Sequence, residues 1–318
     1  MEYLILIAAL ALIIVGAMML TDGSVALAER FHVPEFIVGL TIVAMGTSMP
    51  EFTVSFISAI KGESAMAIGN VVGSNMFNVL AILGVSAVFS PILFTKSNIR
   101  RDIPICIAAT IALLVVTSIN EDITRLEGTI LLLGYIVMLY FTIRADMKAQ
   151  KLNPQPSTTE EPKKQMPIWR IPVWILVGLG GLIWGGSLFV DSATEIARIW
   201  GVPESTIAIT LVAGGTSIPE LASSLVAIFK GRASLALGNV LGSNIANILL
   251  VLGLCATVTP LEMGSVTSID VYVTLAAATL VMISALVIGR DKMTRFEGAI
   301  FLLCYAAYVY YLVSTTAF

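Results

Sequence analysis

Two polar strings recur 169 residues apart inside otherwise apolar sequence. GTSMPE, ending at Glu51, returns as GTSIPE, ending at Glu220, and GNVVGSNMFN, ending at Asn78, returns as GNVLGSNIAN, ending at Asn247. In the first string Thr47, Ser48 and Glu51 are spaced by one and three residues, so Thr47 and Glu51 share a face if the helix is continuous. Pro50 argues against full continuity, because proline removes a backbone donor, and Gly46 permits an unusual dihedral. An unwound turn would release carbonyls near Ala44 and Thr47, and near Ala213 and Thr216 in the copy with Ser217 and Glu220. The second string adds Ser74, Asn75 and Asn78, repeated as Ser243, Asn244 and Asn247. Carboxylates, amides, hydroxyls and carbonyls suit hard cations such as Ca2+ and Na+. Transition metals would call for the imidazole or thiolate ligands that these strings lack.

Glu51 and Glu220 supply two negative charges when ionised, which one Ca2+ neutralises. Without a cation, two buried carboxylates carry a large desolvation and repulsion cost, so an empty site should protonate or recruit monovalent ions. A site that prefers to be filled suits exchange of one cargo for another. Plainer readings exist for individual residues. Ser48 to Glu51 and Ser217 to Glu220 fit the spacing of a capping box. Gly69 with Gly73 and Gly238 with Gly242 have the spacing of close helix packing, which is favoured for them over contact with cargo. Asp22 and Asp191, beside Ser24 and Ser192, read as caps or interfacial anchors near helix ends. The single histidine, His32, reads as an incidental loop residue, and Trp169 and Trp200 read as interfacial belt residues.

The elements that must hold these residues are membrane helices. Of 318 residues, 57% are hydrophobic and 12% charged, and the mean hydropathy is +0.94, too apolar for a soluble domain of this length. Helices are predicted at 3 to 21, 34 to 60, 64 to 89, 102 to 119, 125 to 143, 171 to 190, 203 to 229, 233 to 258, 269 to 289 and 295 to 315. Residues 1 to 20 lack a basic leader and a cleavage signature and are read as a retained helix. Cys106, Cys255 and Cys304 stand singly in apolar segments as small hydrophobes.

The polar stretch from 144 to 170 reads as a flexible linker between a first unit, 1 to 143, and a second, 171 to 318. TRLEG at 124 to 128 recurs as TRFEG at 294 to 298, and Pro34 and Pro91 recur as Pro203 and Pro260, so the halves are complete duplicates. Five crossings per half is odd, so the second half enters from the opposite side. The expectation is an all-α polytopic membrane protein, with ten transmembrane helices in two inverted-topology five-helix repeats whose polar strings meet at the midplane. Fifteen of eighteen Lys and Arg fall in alternate loops, which places the linker in the cytoplasm and both termini outside. No GxxxxGK, HExxH, CxxC or GxSxG arrangement occurs, so neither an enzyme nor a cofactor is expected. The mixed charge of the linker gives no basis for nucleic-acid binding. The expected partner is the lipid bilayer; no protein partner is indicated, and a monomer is compatible with this.

MGTSMPE with GNVVGSNMFN, and GGTSIPE with GNVLGSNIAN, closely resemble the paired alpha repeats of the cation/calcium exchanger superfamily, in its prokaryotic sodium/calcium exchanger branch. The resemblance covers essentially the whole chain. It implies ten helices in two inverted halves and alternating access that exchanges about three Na+ for each Ca2+. By the same resemblance Glu51 and Glu220 are the shared Ca2+ ligands, with carbonyls of Thr47 and Thr216. Flanking Na+ sites use Ala44, Ser48 and Ser74 in one half and Ala213, Ser217 and Ser243 in the other, and Asn78 and Asn247 complete the central layer. Some members have aspartate at the position of Asn247, which weakens K+ co-transport here. Proton/calcium exchangers typically have GNxxE where this chain has GNVVG and GNVLG, which lowers a proton-coupled reading. The alternatives are H+/Ca2+ exchange, distinguished by whether a pH gradient replaces the Na+ gradient, and a cation channel, which needs no counter-ion.

Overall fold

The computed structural model describes residues 1–120, 122–152, 166–200, 213–264 and 266–316. Apolar runs without internal charge become helices because lipid offers the backbone no other hydrogen-bond partners. In chain order these are α1 (Glu2–Phe31), α2 (Glu35–Thr47), α3 (Met49–Ile60) and α4 (Ser64–Phe89). The wide turn Asn98–Asp102 runs into α5 (Ile103–Asn120), followed by α6 (Arg125–Leu152) and α7 (Arg170–Ile199). A single turn, Ala213–Gly215, precedes α8 (Ile218–Phe229), and α9 (Ala233–Val258), α10 (Ser268–Ile288) and α11 (Arg295–Thr316) complete the chain. Among the described residues seven helices are long and apolar enough to cross a membrane, or eight if α2 and α3 form one bent span.

α4 and α9 form the centre, with 78% and 83% of their apolar windows buried, whereas those of α1, α6, α7 and α11 are 17–33% buried and present apolar side chains outward. Central helices bearing polar strings thus sit inside a sheath that can face lipid. The packing is reciprocal between halves. Gly84 lets α4 meet α11 at Gly298, and the equivalent Gly253 lets α9 meet α6 at Gly128. Strand β1 (Ile92–Leu93) pairs antiparallel with β4 (Lys292–Met293), and β2 (Asp122–Ile123) with β3 (Leu261–Glu262). Each half therefore gives the other the contact it receives, as two-fold related units do. TRLEG and TRFEG begin α6 and α11 as capping boxes. Glu127 accepts from the Thr124 N–H at 2.8 Å, and Glu297 from that of Thr294 at 2.7 Å.

Several predicted boundaries are corrected. α1 reaches Phe31 and α7 reaches Ile199, so Asp22, Ser24, Asp191 and Ser192 lie inside helices and cap nothing. Hydropathy marks where apolar sequence ends, but helical hydrogen bonding continues past it. α6 likewise runs to Leu152, nine residues into the segment expected to be linker. The remaining linker residues 153–165, and residues 203–212 of the expected seventh helix with Pro203, lie outside the described residues. His32 is more than loop filler: it ends α1 in a left-handed conformation, φ 53°, donating its N–H to Ala28. Of the glycine pairs, Gly238 and Gly242 pack on α2, where an added methyl would collide with the carbonyls of Phe36 and Leu40. Most of the segment that the repeat places opposite Gly69 and Gly73 lies outside the described residues. Cys106 and Cys255 are buried free thiols and Cys304 is half-buried.

Candidate functional site

The first polar string breaks its helix as the proline requires. Ser48 leaves helical geometry at φ −82°, ψ 9°, and α2 and α3 meet there at 47°. Pro50 occupies the first turn of α3, where a missing N–H costs little. The repeat does the same at Ser217, φ −89°, ψ 8°, with Pro219 opening α8. The carbonyl of Thr216 accepts no backbone hydrogen bond among the described residues, and Thr47 is the last residue before the break at Ser48. The Ala44 carbonyl differs from expectation, since it already accepts the Ser48 N–H at 3.0 Å. Glu51 and Glu220 fall in the first turns of α3 and α8, where the helix dipole favours negative charge.

The second string alters its helix by another device. A π-turn covers Phe77–Ile82 in α4 and another covers Asn247–Leu252 in α9, so Asn78 and Asn247 each sit where the helix widens. Such turns insert a residue without ending the helix and redirect side chains, commonly at functional sites.

These devices bring the two halves together. Ser48 donates to Glu220 Oε1 at 2.8 Å and Ser217 donates to Glu51 Oε1 at 2.7 Å, each across the repeat boundary. Ser74 reaches Glu51 Oε1 at 3.4 Å. Glu51, Glu220, Asn78, Asn247, Thr47, Ser217 and Ser243 are all fully buried, and Ser48, Ser74 and Ala44 nearly or fully so. Thr216 is half-buried, and the side chain of Ala213 lies outside the described residues although its backbone is in the turn before Thr216. One oxygen of each carboxylate, Glu51 Oε2 and Glu220 Oε2, has no hydrogen-bond partner, nor do Asn78 Oδ1, Asn247 Oδ1 and Ser243 Oγ. Buried acceptors are ordinarily satisfied. A cluster of unsatisfied ones, two of them carboxylate, is suited to holding a cation or protons.

Asn70 and Asn239 are site residues that the sequence reading passed over. Asn239 donates to Ser223 and Ser224 at 2.9 and 3.0 Å, and accepts from Thr47 of the other half at 3.2 Å. Asn70 donates to Ser55 at 2.9 Å and to the Glu51 carbonyl at 3.1 Å, and accepts from Thr216 at 3.5 Å. Their signal was the duplicated amide in GN, polar and deep in an apolar helix. Asn75 and Asn244 tie the strings to each other, each amide donating to the other's backbone carbonyl at 3.2 Å. Asn75 also holds the Asn247 amide at 3.1 Å.

A family model described as sodium/calcium exchanger protein matches residues 1–144 and 170–314. CaxA of Alkalimonas amylolytica is 35% identical over 309 residues, covering 96% of this chain and 97% of that protein. The sodium/calcium exchanger MaX1 of Methanosarcina acetivorans is 30% identical over 342 residues, covering 97% of each. A structure of the sodium-calcium exchanger NCX_Mj, soaked with zero Na+ and Ca2+, superposes with a TM-score of 0.83 at 29% identity over 98% of both chains. With a match across nearly its whole length, this multi-pass membrane chain belongs to the sodium/calcium exchanger family.

Proposed function

We propose that the protein is a secondary-active antiporter that exchanges Ca2+ for Na+ across a cell membrane by alternating access, about three Na+ per Ca2+. The observation that carries this reading is the set of buried, partnerless oxygens on Glu51, Glu220, Asn78, Asn247 and Ser243. Ca2+ would be held by Glu51 and Glu220 with the carbonyls of Thr47 and Thr216. Na+ would be held beside them by Ser48, Ser74 and the Ala44 carbonyl in one half, and by Ser217, Ser243 and the Ala213 carbonyl in the other. Asn78 and Asn247 would close the central layer. With only two carboxylates at the centre, one Ca2+ neutralises it, and its departure leaves a charge that Na+ must fill before the site is stable.

Reciprocal packing between the halves supports ten crossings in two inverted repeats, 1 to 143 and 171 to 318, joined by a linker across 144 to 170. The distribution of basic residues supports a cytoplasmic linker and external termini. Uptake of radioactive Ca2+ into proteoliposomes loaded with Na+ and diluted into Na+-free buffer tests the function. Uptake driven by outward Na+ and lost in Glu51→Gln and Glu220→Gln is expected. Uptake driven instead by a pH gradient, or by no counter-ion, would move the protein to proton-coupled exchange or to a channel.

A further inference from the structure

Several contacts between the halves are reciprocal, but among the described residues one ion-paired corner is not. Lys230, the residue after α8, reaches Asp22 on α1 at 2.5 Å and the Met18 carbonyl at 3.3 Å. Arg232 reaches Glu35 at 2.6 Å and Glu29 at 3.9 Å. The repeat carries Lys230 onto Lys61, the residue after α3, and Asp22 onto Asp191 on α7. Among the described residues Lys61 and Asp191 form no ion pair, and both are exposed. At the neighbouring positions the repeat replaces Glu29 and Arg232 with Arg198 and Glu63, opposite charges with the signs exchanged. Helix packing is unequal in the same sense: α1 lies along α8, whereas α7 makes no comparable contact with α3. A half-open cleft lined by Phe77, Phe189, Ala193, Gly215 and Ile218 lies at the Asp191 end of α7.

α1 and α7 form one closely packed pair. They pack antiparallel along a glycine seam, where a methyl on Gly16 would meet the Gly178 carbonyl at 2.9 Å and one on Gly185 the Ala9 carbonyl at 3.2 Å. Across that seam Gly23 lies beside Ile175 and Gly185 beside Ile13, so Asp22 and Asp191 sit toward opposite ends of the pair. At 1.5 Å per residue they are roughly 24 Å apart along its axis. Each lysine lies on the order of 15 Å along α3 or α8 from the glutamate that the same helix carries. A two-fold-related structure with one of two equivalent contacts formed is in one of two exchangeable states.

We propose that Lys61 and Lys230 are alternating latches for reorientation. Lys230 holds Asp22 while the site is closed at that end, and Lys61 takes Asp191 when the α1 and α7 pair shifts to close the other. This deepens the exchange reading and rests on it. By the basic-residue bias the Lys230 end is cytoplasmic, so the latch formed in this structure is the cytoplasmic one.

Two double variants of the full chain, Asp22→Cys with Lys230→Cys and Asp191→Cys with Lys61→Cys, report each end in proteoliposomes treated with a short, reducible bis-thiosulfonate. Wild type, with its three native cysteines, gives the background. Both pairs are expected to cross-link during exchange, each arresting Ca2+ flux until reductant is added. Adding Lys230→Ala to the second pair should raise its cross-linking roughly 1.4- to fivefold, the range set by loss of one exposed ion pair. Failure of the 61 and 191 pair to cross-link in a variant that still exchanges, or a rate indifferent to Lys230, would overturn the latch. If wild type does not exchange Na+ for Ca2+ in the same vesicles, the exchange reading fails separately, and the cross-linking rates still decide the latch.

Discussion

At the scale of single residues, the site is defined by which oxygens are occupied. Ser48 and Ser217 each spend their hydrogen on the carboxylate of the other half, leaving one carboxylate oxygen free on each glutamate. Hydrogen bonds to charged groups contribute roughly 1.5–3 kcal/mol. Ser48→Ala or Ser217→Ala is therefore expected to weaken exchange by about ten- to a hundredfold. Because both hydroxyls also sit among the proposed Na+ ligands, the Na+ concentration for half-maximal Ca2+ efflux should rise more than the KM for Ca2+. Titrating efflux against each ion separately checks the split, and equal changes in both would count against a Na+ role. Asn239 holds two serines of its own half and Thr47 of the other. Asn239→Ala should lower the thermal unfolding midpoint in detergent, with a cost of about 1–3 kcal/mol for stranded buried groups.

At the scale of elements, proline and glycine decide the geometry. Pro50 cannot donate to Gly46, so α2 and α3 part at Ser48. Pro50→Ala returns a donor and favours a straight helix, and a loss of most Ca2+ flux in protein that still purifies as a monodisperse peak is expected. Gly242 lies against the backbone of Leu40, and a methyl there would meet the Leu40 Cα at 2.7 Å and the Ala44 side chain at 2.8 Å. Gly242→Val should thus abolish folded protein, while Gly134→Ala, in open space, should not; size-exclusion chromatography after extraction separates the two. How the helices start was legible only in part: TRLEG and TRFEG, read as repeats, form capping boxes, whereas Ser48 to Glu51 and Ser217 to Glu220 have the spacing of one and form no side-chain cap. How far they run was not, because α1, α6 and α7 continue beyond the apolar runs that marked them.

At the scale of the whole molecule, the reciprocal contacts make each half part of the other's site. Glu51 is oriented by Ser217 and Glu220 by Ser48, so neither half alone holds a complete site. The basic-residue bias predicts that a tag on either terminus is removed by protease added outside sealed, right-side-out vesicles. Protection of the tag would reverse the sidedness, and with it the side on which Lys230 and Asp22 pair.

The sequence by itself determined the chemistry. Oxygen ligands, two carboxylates and their duplication follow from residue type and spacing, and an apolar chain has few ways to tolerate them. The break at Ser48 followed from Pro50, and the pairing of the two strings from the repeat. Only the tertiary structure decided which oxygens stay free, since that depends on cross-half donors 166 and 172 residues away in the chain. It alone placed Asn70 and Asn239 as braces, because a buried amide's partners are set by packing. It alone placed Asn78 and Asn247 on π-turns, because an inserted residue leaves no mark in hydrophobic periodicity. And it alone made Asp22 and Asp191 unequal: a repeated sequence writes the same contact twice, and a single conformation forms it once.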